Sequence, residues 1–393
     1  MAIILFDDNA RNTLLPLTFT RPVADMRIGI LTIAEKWGKH LGLGFSYFTT
    51  AHLQQKFALH INDDNLFING AVCPDDGLLE AINKLQEGEA LKRDKKLIAV
   101  KLNSANAKSF DIDALLKSAI GYQSDFISIQ FPEDIFKNND AELCKDFALL
   151  TKGRTSVSIS NTNVIIGDNF FAEDGAEAEC ATFNTMMGPV YLGKNSSVWE
   201  GSNIRGSFAL GEHSQVKMGA KIYSATTIGP YCRVGGEINN AVIWGYSSKG
   251  HEGYLGNSVM GEWCNIGADS NNSNLKNNYA DVRLWDYPSR NYRETGLQFC
   301  GLIMADHAKC GINTMFNTGT VVGVGANVFG AGFPPNFFPD FSWGGAQSMQ
   351  EHKFNKFLET TERVISRRDH RKFDEVEKRI LETVFELTAA YRK

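Results

Sequence analysis

The sequence predicts an α/β domain followed by a parallel β-helix and a helical tail, and three observations carry that reading. The apolar run Ala2–Phe6 ends in two aspartates and is followed by alternating helix-like and strand-like segments. From Leu192 onward, aliphatic residues recur every six positions. After Gly345 the chain turns charged, with apolar residues at helical spacing. A chain of 393 residues is long enough for two or three domains, placed here at 1–160, 161–345 and 346–393.

Ala2–Phe6 reads as a buried parallel strand because it is apolar throughout. Ile30, Leu31, Ile33, Ala34, Trp37 and Leu41 share one helix face. Strand-like Phe45–Phe48, Asn65–Ile68 and Leu97–Val100 alternate with helix-like His52–Leu59 and Leu78–Leu85. Such alternation specifies an open sheet, whose ligands bind beyond the carboxyl ends of the strands. Asp7 and Asp8 stand at that end of the first strand. Residues 111–160 read as a helix-rich connector.

Stepping by six from Leu192 gives Val198, Ile204, Leu210, Val216, Ile222, Ile228 and Val234, all aliphatic. Gly193, Gly211 and Gly229 follow at every third step and suit corners that need a positive φ. The phase then slips by two to Val242, Ser248, Tyr254, Met260 and Ile266, and resumes as Met304, Cys310, Phe316, Val322 and Val328. An amphipathic helix, with a period near 3.6, cannot produce this pattern. A triangular parallel β-helix can: each six-residue side turns one residue inward, and three sides close a coil. Ile166-Gly167 marks an earlier coil, followed by an irregular stretch up to Pro189. Cys310 then faces the core as a small hydrophobe.

The tail carries a stripe from Phe354, Phe357, Leu358, Val364 and Ile365 to Phe373, Val376, Ile380 and Val384. Its basic run Arg367–Lys372 reads as a solvated face, with binding of an anion as the alternative. Forty basic against 45 acidic side chains lack the excess of a nucleic-acid binder. No apolar run reaches the ~18 residues of a membrane span, and Met1 opens straight into a strand-like run, with no signal peptide. Seven cysteines, scattered and never spaced C-x-x-C, argue against a disulfide framework or a zinc knuckle. The expected location is the cytoplasm.

Two stretches resemble a known family. KGHEGYLGNSVMGEWCNIGADSNNSNL, Lys249–Leu275, is similar to the acetyltransferase segment of the bifunctional N-acetylglucosamine-1-phosphate uridyltransferase and glucosamine-1-phosphate N-acetyltransferase family. LLPLTFTRP, Leu14–Pro22, is similar to the tail of its nucleotidyltransferase loop. The wording looks like a divergent bacterial branch. The resemblance implies a Rossmann-like nucleotidyltransferase domain, a left-handed β-helix of hexapeptide repeats, a homotrimer, and a role in making nucleotide sugars for the cell envelope. It implies acetyl-CoA as co-substrate, a sugar-1-phosphate acceptor, and UTP or dTTP as nucleotide donor.

Transfer of an acetyl group to a sugar amine requires the amine to lose a proton as it attacks the thioester, and an imidazole can take that proton at neutral pH. By the resemblance His251 is this base. Glu237, Lys249, Tyr254 and Asn265 contact substrate, and Asn274 lies near the reacting groups. Gly250 and Gly253 would let backbone approach a ligand, and Tyr254 falls on an inward phase that is normally aliphatic. Where the family has a phosphate-binding lysine this chain has Asn239; Arg283, Arg290 and Arg293 of the loop around residues 279–296 are candidate substitutes, a solvent-exposed loop being the alternative.

The nucleotidyltransferase loop departs further. It reads Asp7-Asp8-Asn9-Ala10-Arg11-Asn12, without glycine; Val23 replaces the family's lysine, and Ala71 its metal-binding aspartate. Arg11, Arg21 and Arg27 remain as phosphate ligands, with structural ion pairing as the alternative. Asp7 and Asp8 remain as holders of Mg²⁺. The alternatives to a bifunctional enzyme are an acyltransferase alone, or a non-catalytic nucleotide-sugar-binding subunit with a degenerate first domain.

Overall fold

The computed structural model describes residues 2–367 and 371–392; Arg368, Asp369 and His370 of the basic run lie outside the described residues. The chain divides into two compact units, and the division is interleaved. The first is residues 1–14, 20–26 and 31–131; the second takes Leu15–Phe19, Arg27–Ile30 and everything from Pro132 onward.

The first unit is built on a six-stranded sheet of β1 (Ala2–Phe6), β2 (Phe45–Phe48), β3 (Asp64–Asn69), β4 (Ala90–Arg93), β5 (Lys96–Asn103) and β6 (Ile120–Gly121), in the order β2-β1-β3-β5-β4-β6. β1 runs parallel to both neighbours, whereas β5 is antiparallel to β3 and to β4, so the sheet is mixed. Helix Ile33–Leu41 begins at a capping box in which Thr32 and Glu35 satisfy each other's backbone N–H groups, and it buries Ile33, Ala34 and Trp37. Helix Asp76–Asn83 follows the expected apolar spacing. Residues 51–57 form turns instead of the expected helix; Leu53 is the one fully buried side chain there, too little to dock a helix face.

The second unit is a parallel β-solenoid of about ten turns over residues 164–344. Three short strands make each coil, and strands eighteen residues apart pair in parallel, as Val190–Leu192 does with Phe208–Leu210. All eight aliphatic residues of the series Leu192 to Val234 lie in one continuous core, and Cys310 joins them. The stretch before Pro189 is irregular in spacing but not in pairing: Ala172, Ala178 and Phe183 pair with Leu192, Val198 and Ile204, more than eighteen residues on, and belong to the same core.

The phase after Val234 also differs from expectation. The inward residues are Ile238, Ile243, Lys249 and Leu255, in register with Ile222, Ile228, Val234 and Ile238, so steps of four, five and six residues replace a single slip of two. Tyr254 is therefore not inward; its neighbour Leu255 is.

Gly193, Gly211 and Gly229 do not supply positive φ. A Cβ on Gly211 would stand 2.5 Å from the backbone of Gly229, so these glycines let successive coils approach at one corner. The left-handed residues come two positions later, at Asn195, His213, Tyr231, Tyr246, Trp263 and His307, with φ between 54° and 62°. From His213 to Trp263 their rings stack down the corner at 4.8, 5.1 and 4.3 Å.

The connector helix Glu133–Thr151 groups with the solenoid. Asn139 donates to the Ala225 carbonyl (2.8 Å) and accepts from Gly29 N–H (2.7 Å), while Asp146 accepts from Ile30 N–H (2.8 Å). These bonds draw Arg27–Ile30 into the second unit. In the tail, helices Phe354–Ser366 and Glu375–Leu387 bury Phe357, Ile365, Ile380 and Val384 of the expected stripe.

The segment around residues 279–296 is a packed antiparallel hairpin, Arg283–Asp286 with Asn291–Glu294. Tyr287 at its tip is buried and donates to Asp340 Oδ2 (2.8 Å), while Asp340 Oδ1 accepts from Val324 N–H (2.7 Å). Burial holds the Asp340 carboxyl up at about 6. Because this folded value lies above the unfolded one, the neutral acid stabilises fully below about pH 4, and that contribution is lost as pH rises through 6. Asp340→Asn, which keeps both partners satisfiable, is expected to gain up to about 3 kcal/mol at pH 7.5 and nothing at pH 4. Urea unfolding at the two pH values checks this; equal effects at both would show that Asp340 ionisation does not couple to stability.

Candidate functional site

Two places hold the residues singled out from the sequence. In the first unit, two clefts of about 490 and 580 Å³ share Asp8, Asn9 and Lys95 at the carboxyl end of β1. One is lined further by Arg93, Lys96, Ser128 and Gln130, the other by Phe48, Leu97 and Phe110. Asp8 Oδ1 accepts from Ala10 N–H (2.9 Å); Oδ2 accepts from Asn69 Nδ2 (2.8 Å) and pairs with Lys96 Nζ (3.4 Å).

Asp7 lies behind this position. It accepts from Val23 N–H (2.8 Å) and from the Thr49 hydroxyl (2.5 Å), and pairs with Arg11 (3.1 Å). Burial pushes its pKa up in spite of these partners. Two carboxylates whose four oxygens all accept hydrogen bonds, one of them from an ammonium, do not present the open oxygen cluster that Mg²⁺ requires. Among the described residues no group of three or more His, Cys, Asp or Glu is placed to hold a metal. In this arrangement the oxygens of Asp7 and Asp8, the expected magnesium holders, are engaged by protein donors.

The arginines are likewise committed elsewhere. Arg11 bonds Asp7 and the Arg21 carbonyl, and Arg21 pairs with Asp25 (3.1 Å); both side chains are buried. Arg27 belongs to the second unit, where it donates to the Ile30 carbonyl. The cations that line the clefts are Arg93, Lys95 and Lys96, grouped about the tight turn between β4 and β5. Sequence reading missed them because only strand pairing brings that turn beside the end of β1. The signal available was the pair of lysines after Asp94, flanked by apolar runs.

On the solenoid, His251 stands exposed on a corner formed by Gly250–Gly253. Six residues separate inward Lys249 from inward Leu255, whereas the coil below turns from Val234 to Ile238 in four. The His251 corner therefore projects beyond its neighbour. Gly235 and Gly236 lie directly under it: a Cβ on Gly236 would meet the carbonyls of Gly253 and His251 at 2.8 Å each. Gly253 itself has φ 118° and crowds Ser270 of the next coil, so its missing side chain serves coil packing and not ligand approach.

Lys249 is not a substrate contact. It is 1% exposed in the inner column, and its Nζ donates to the carbonyl of His251 (2.6 Å). Burial pushes its pKa down to about 8.

Beside the corner, half-buried Tyr254 belongs to a polar network. Asn274 Nδ2 donates to the Tyr254 hydroxyl (2.9 Å) and to Asn257 Oδ1 (2.7 Å). Asn239 also bonds the Tyr254 hydroxyl, and Glu237 is paired with Tyr254 across the strands. The structure thus brings Glu237, Tyr254 and Asn274 together, with Asn239 and Asn257 as members not foreseen. Asn265 lies on a different face. Arg293 is paired with buried Glu133 (2.6 Å), Arg290 lies over the Tyr391 ring and Arg283 reaches Glu294 (3.9 Å), so these three brace the hairpin.

Comparison with solved structures finds a UDP-N-acetylglucosamine acyltransferase from Arabidopsis, at 16% identity over 60% of this chain and 94% of that one, with a TM-score of 0.24. The UDP-N-acetylglucosamine acyltransferase from Campylobacter jejuni gives 14%, 60%, 83% and 0.22, and a hexapeptide transferase family protein from Anaplasma phagocytophilum gives 16%, 60%, 92% and 0.18. Likeness this slight carries no argument about chemistry. Among the described residues no helix is long and apolar enough to cross a membrane. The family model described as sugar nucleotidyl transferase matches residues 3–155, a stretch that spans the mixed sheet of the first unit.

Proposed function

We propose that the chain is a transferase of nucleotide-sugar synthesis, acetylating an amino-sugar phosphate on the solenoid and handling the nucleotide in the first unit. The observation that carries the acetyl-transfer half is the projecting His251 corner, pinned from inside by Lys249 and flanked by the Tyr254–Asn274 network. The sugar amine attacks the thioester carbonyl of acetyl-CoA as His251 takes its proton. The new C–N bond forms, the C–S bond breaks, and the proton passes to the departing thiolate. Tyr254, Asn274 and Glu237 orient the sugar, with acceptors and donors fixed by their mutual bonds. Asn265 is left out of this site.

Incubation with acetyl-CoA and glucosamine-1-phosphate, then with UTP and dTTP, tests the two halves separately. Acetylated sugar phosphate is the expected first product; its absence with every amino-sugar phosphate tried removes the acyltransferase reading. In the nucleotidyl half, Lys95 and Lys96 take the phosphate-binding role first given to the arginines, because developing charge on departing pyrophosphate needs cations that face the cleft. Lys96→Met is expected to lower pyrophosphate exchange at least tenfold. Exchange insensitive to it would return the role to Arg21.

The hydrogen-bonded state of Asp7 and Asp8 favours a second reading, in which the first unit binds a nucleotide sugar without turning it over. Nucleotide-sugar binding with no exchange supports it. The solenoid is proposed to assemble as a trimer through residues 192–328, since a core one side chain thick leaves its flat faces available for packing. Light scattering at micromolar concentration should give three times the chain mass; a monomer would exclude it.

A further inference from the structure

The second unit contains a cavity of about 460 Å³ whose lining residues have no part in the sites described above. Its floor is one outer face of the solenoid, where Ser248, Asn265 and Lys309 follow one another in register. Corner rings Tyr246 and Trp263 wall it, and Arg367 closes it from the end of helix Phe354–Ser366.

Lys309 is the informative residue. Cys310 beside it points into the core, so strand alternation turns Lys309 outward, into the cavity. Among the described residues its ammonium makes one hydrogen bond, to the His307 carbonyl (2.9 Å), which leaves two N–H donors. Burial pushes its pKa down, and no carboxylate among the described residues opposes that. None lines the cavity either. A half-buried ammonium without a counter-charge carries a desolvation cost, and an anion in the cavity would relieve it. Arg367 supplies a second positive group, while Tyr246 and Trp263, stacked on each other at 4.3 Å, wall the cavity with their aromatic edges. The space far exceeds one inorganic anion and falls in the range of small-molecule sites.

We propose that this cavity binds a phosphate ester of nucleotide size, its phosphate held by Lys309 and Arg367 and its remaining polar groups by Ser248 and Asn265. Asn265 thus has a ligand, though not the acceptor sugar. Two sources share this chemistry: a nucleoside diphosphate and the phosphorylated adenosine of coenzyme A. The inference does not depend on His251 or on either transfer reaction.

Calorimetric titration of the full chain with ADP, with coenzyme A and with orthophosphate tests it. The expected result is one-to-one binding of ADP or coenzyme A that Lys309→Met weakens at least tenfold, a lost charge-assisted contact. Arg367→Ala, on an exposed residue, should weaken it several-fold and keeps the test open if Lys309→Met fails to fold. Tighter binding of coenzyme A identifies the acyl donor as the source, and tighter binding of ADP a nucleotide. Binding lost in Lys96→Met but intact in Lys309→Met and Arg367→Ala would place the ligand in the first unit and overturn the proposal. So would the absence of binding by ADP and coenzyme A at millimolar concentration.

Discussion

His251→Ala should lower acetyl transfer by roughly 10²- to 10⁴-fold, the range for loss of a general base, and leave the fold untouched. The side chain is exposed on its projecting corner, and the contacts that hold the corner are made by the His251 carbonyl, which alanine retains. Ile228→Ala is the reciprocal experiment. Ile228 is 1% exposed in the column between Leu210 and Ile243, so its truncation should cost about 2–5 kcal/mol of stability. Turnover per folded molecule should not change. Urea unfolding and initial rates separate the two effects. An active His251→Ala protein would reduce His251 to a corner residue and leave the Tyr254 network without a base to serve.

The coils were legible where the inner column is aliphatic and each step is six. Both conditions fail at informative places. Ala172 and Ala178 fill the column in the early coils, but alanine is too common in every setting to mark a period. Between Val234 and Leu255 the steps shorten and lengthen, because corners differ in length, and a one-residue phase error exchanges inside for outside. That error placed Tyr254 in the core, where its neighbour Leu255 stands, and hid the place of Lys249 in the column. The exposed corner of His251 was legible because it depends on a local motif. The cleft cations were not, since β5 reaches β1 only through β3, and such pairing leaves no spacing in the sequence. Arg11 and Arg21 show the converse: residues near a ligand site in sequence whose charge is consumed by Asp7 and Asp25.

Lys249→Met should make the protein more stable and less active at once. The ammonium sits in an aliphatic column, and its folded pKa of about 8 lies well below the 10.5 of a free lysine. A depressed folded pKa means that stability is greatest above the unfolded value and is lost as pH falls through 8. At pH 7 that loss is complete and amounts to about 3 kcal/mol. Methionine fills the column without a charge, so it recovers this amount less the hydrogen bond to the His251 carbonyl, about 1.5–3 kcal/mol for a charged donor. The gain should shrink as pH approaches 10, where the native lysine is neutral. Activity should move the other way, because the corner that carries His251 loses its internal tie; about tenfold is expected, the cost of a small displacement of a reacting group. Arginine's wider planar fork does not reproduce the single bond from a lysine ammonium to the His251 carbonyl at this buried position, so Lys249→Arg should not rescue the rate. Thermal unfolding at pH 7 and pH 9.5, with rates measured on the same samples, checks both signs. A rate loss as deep as that of His251→Ala would mean that Lys249 reaches the substrate, contrary to its position inside the solenoid.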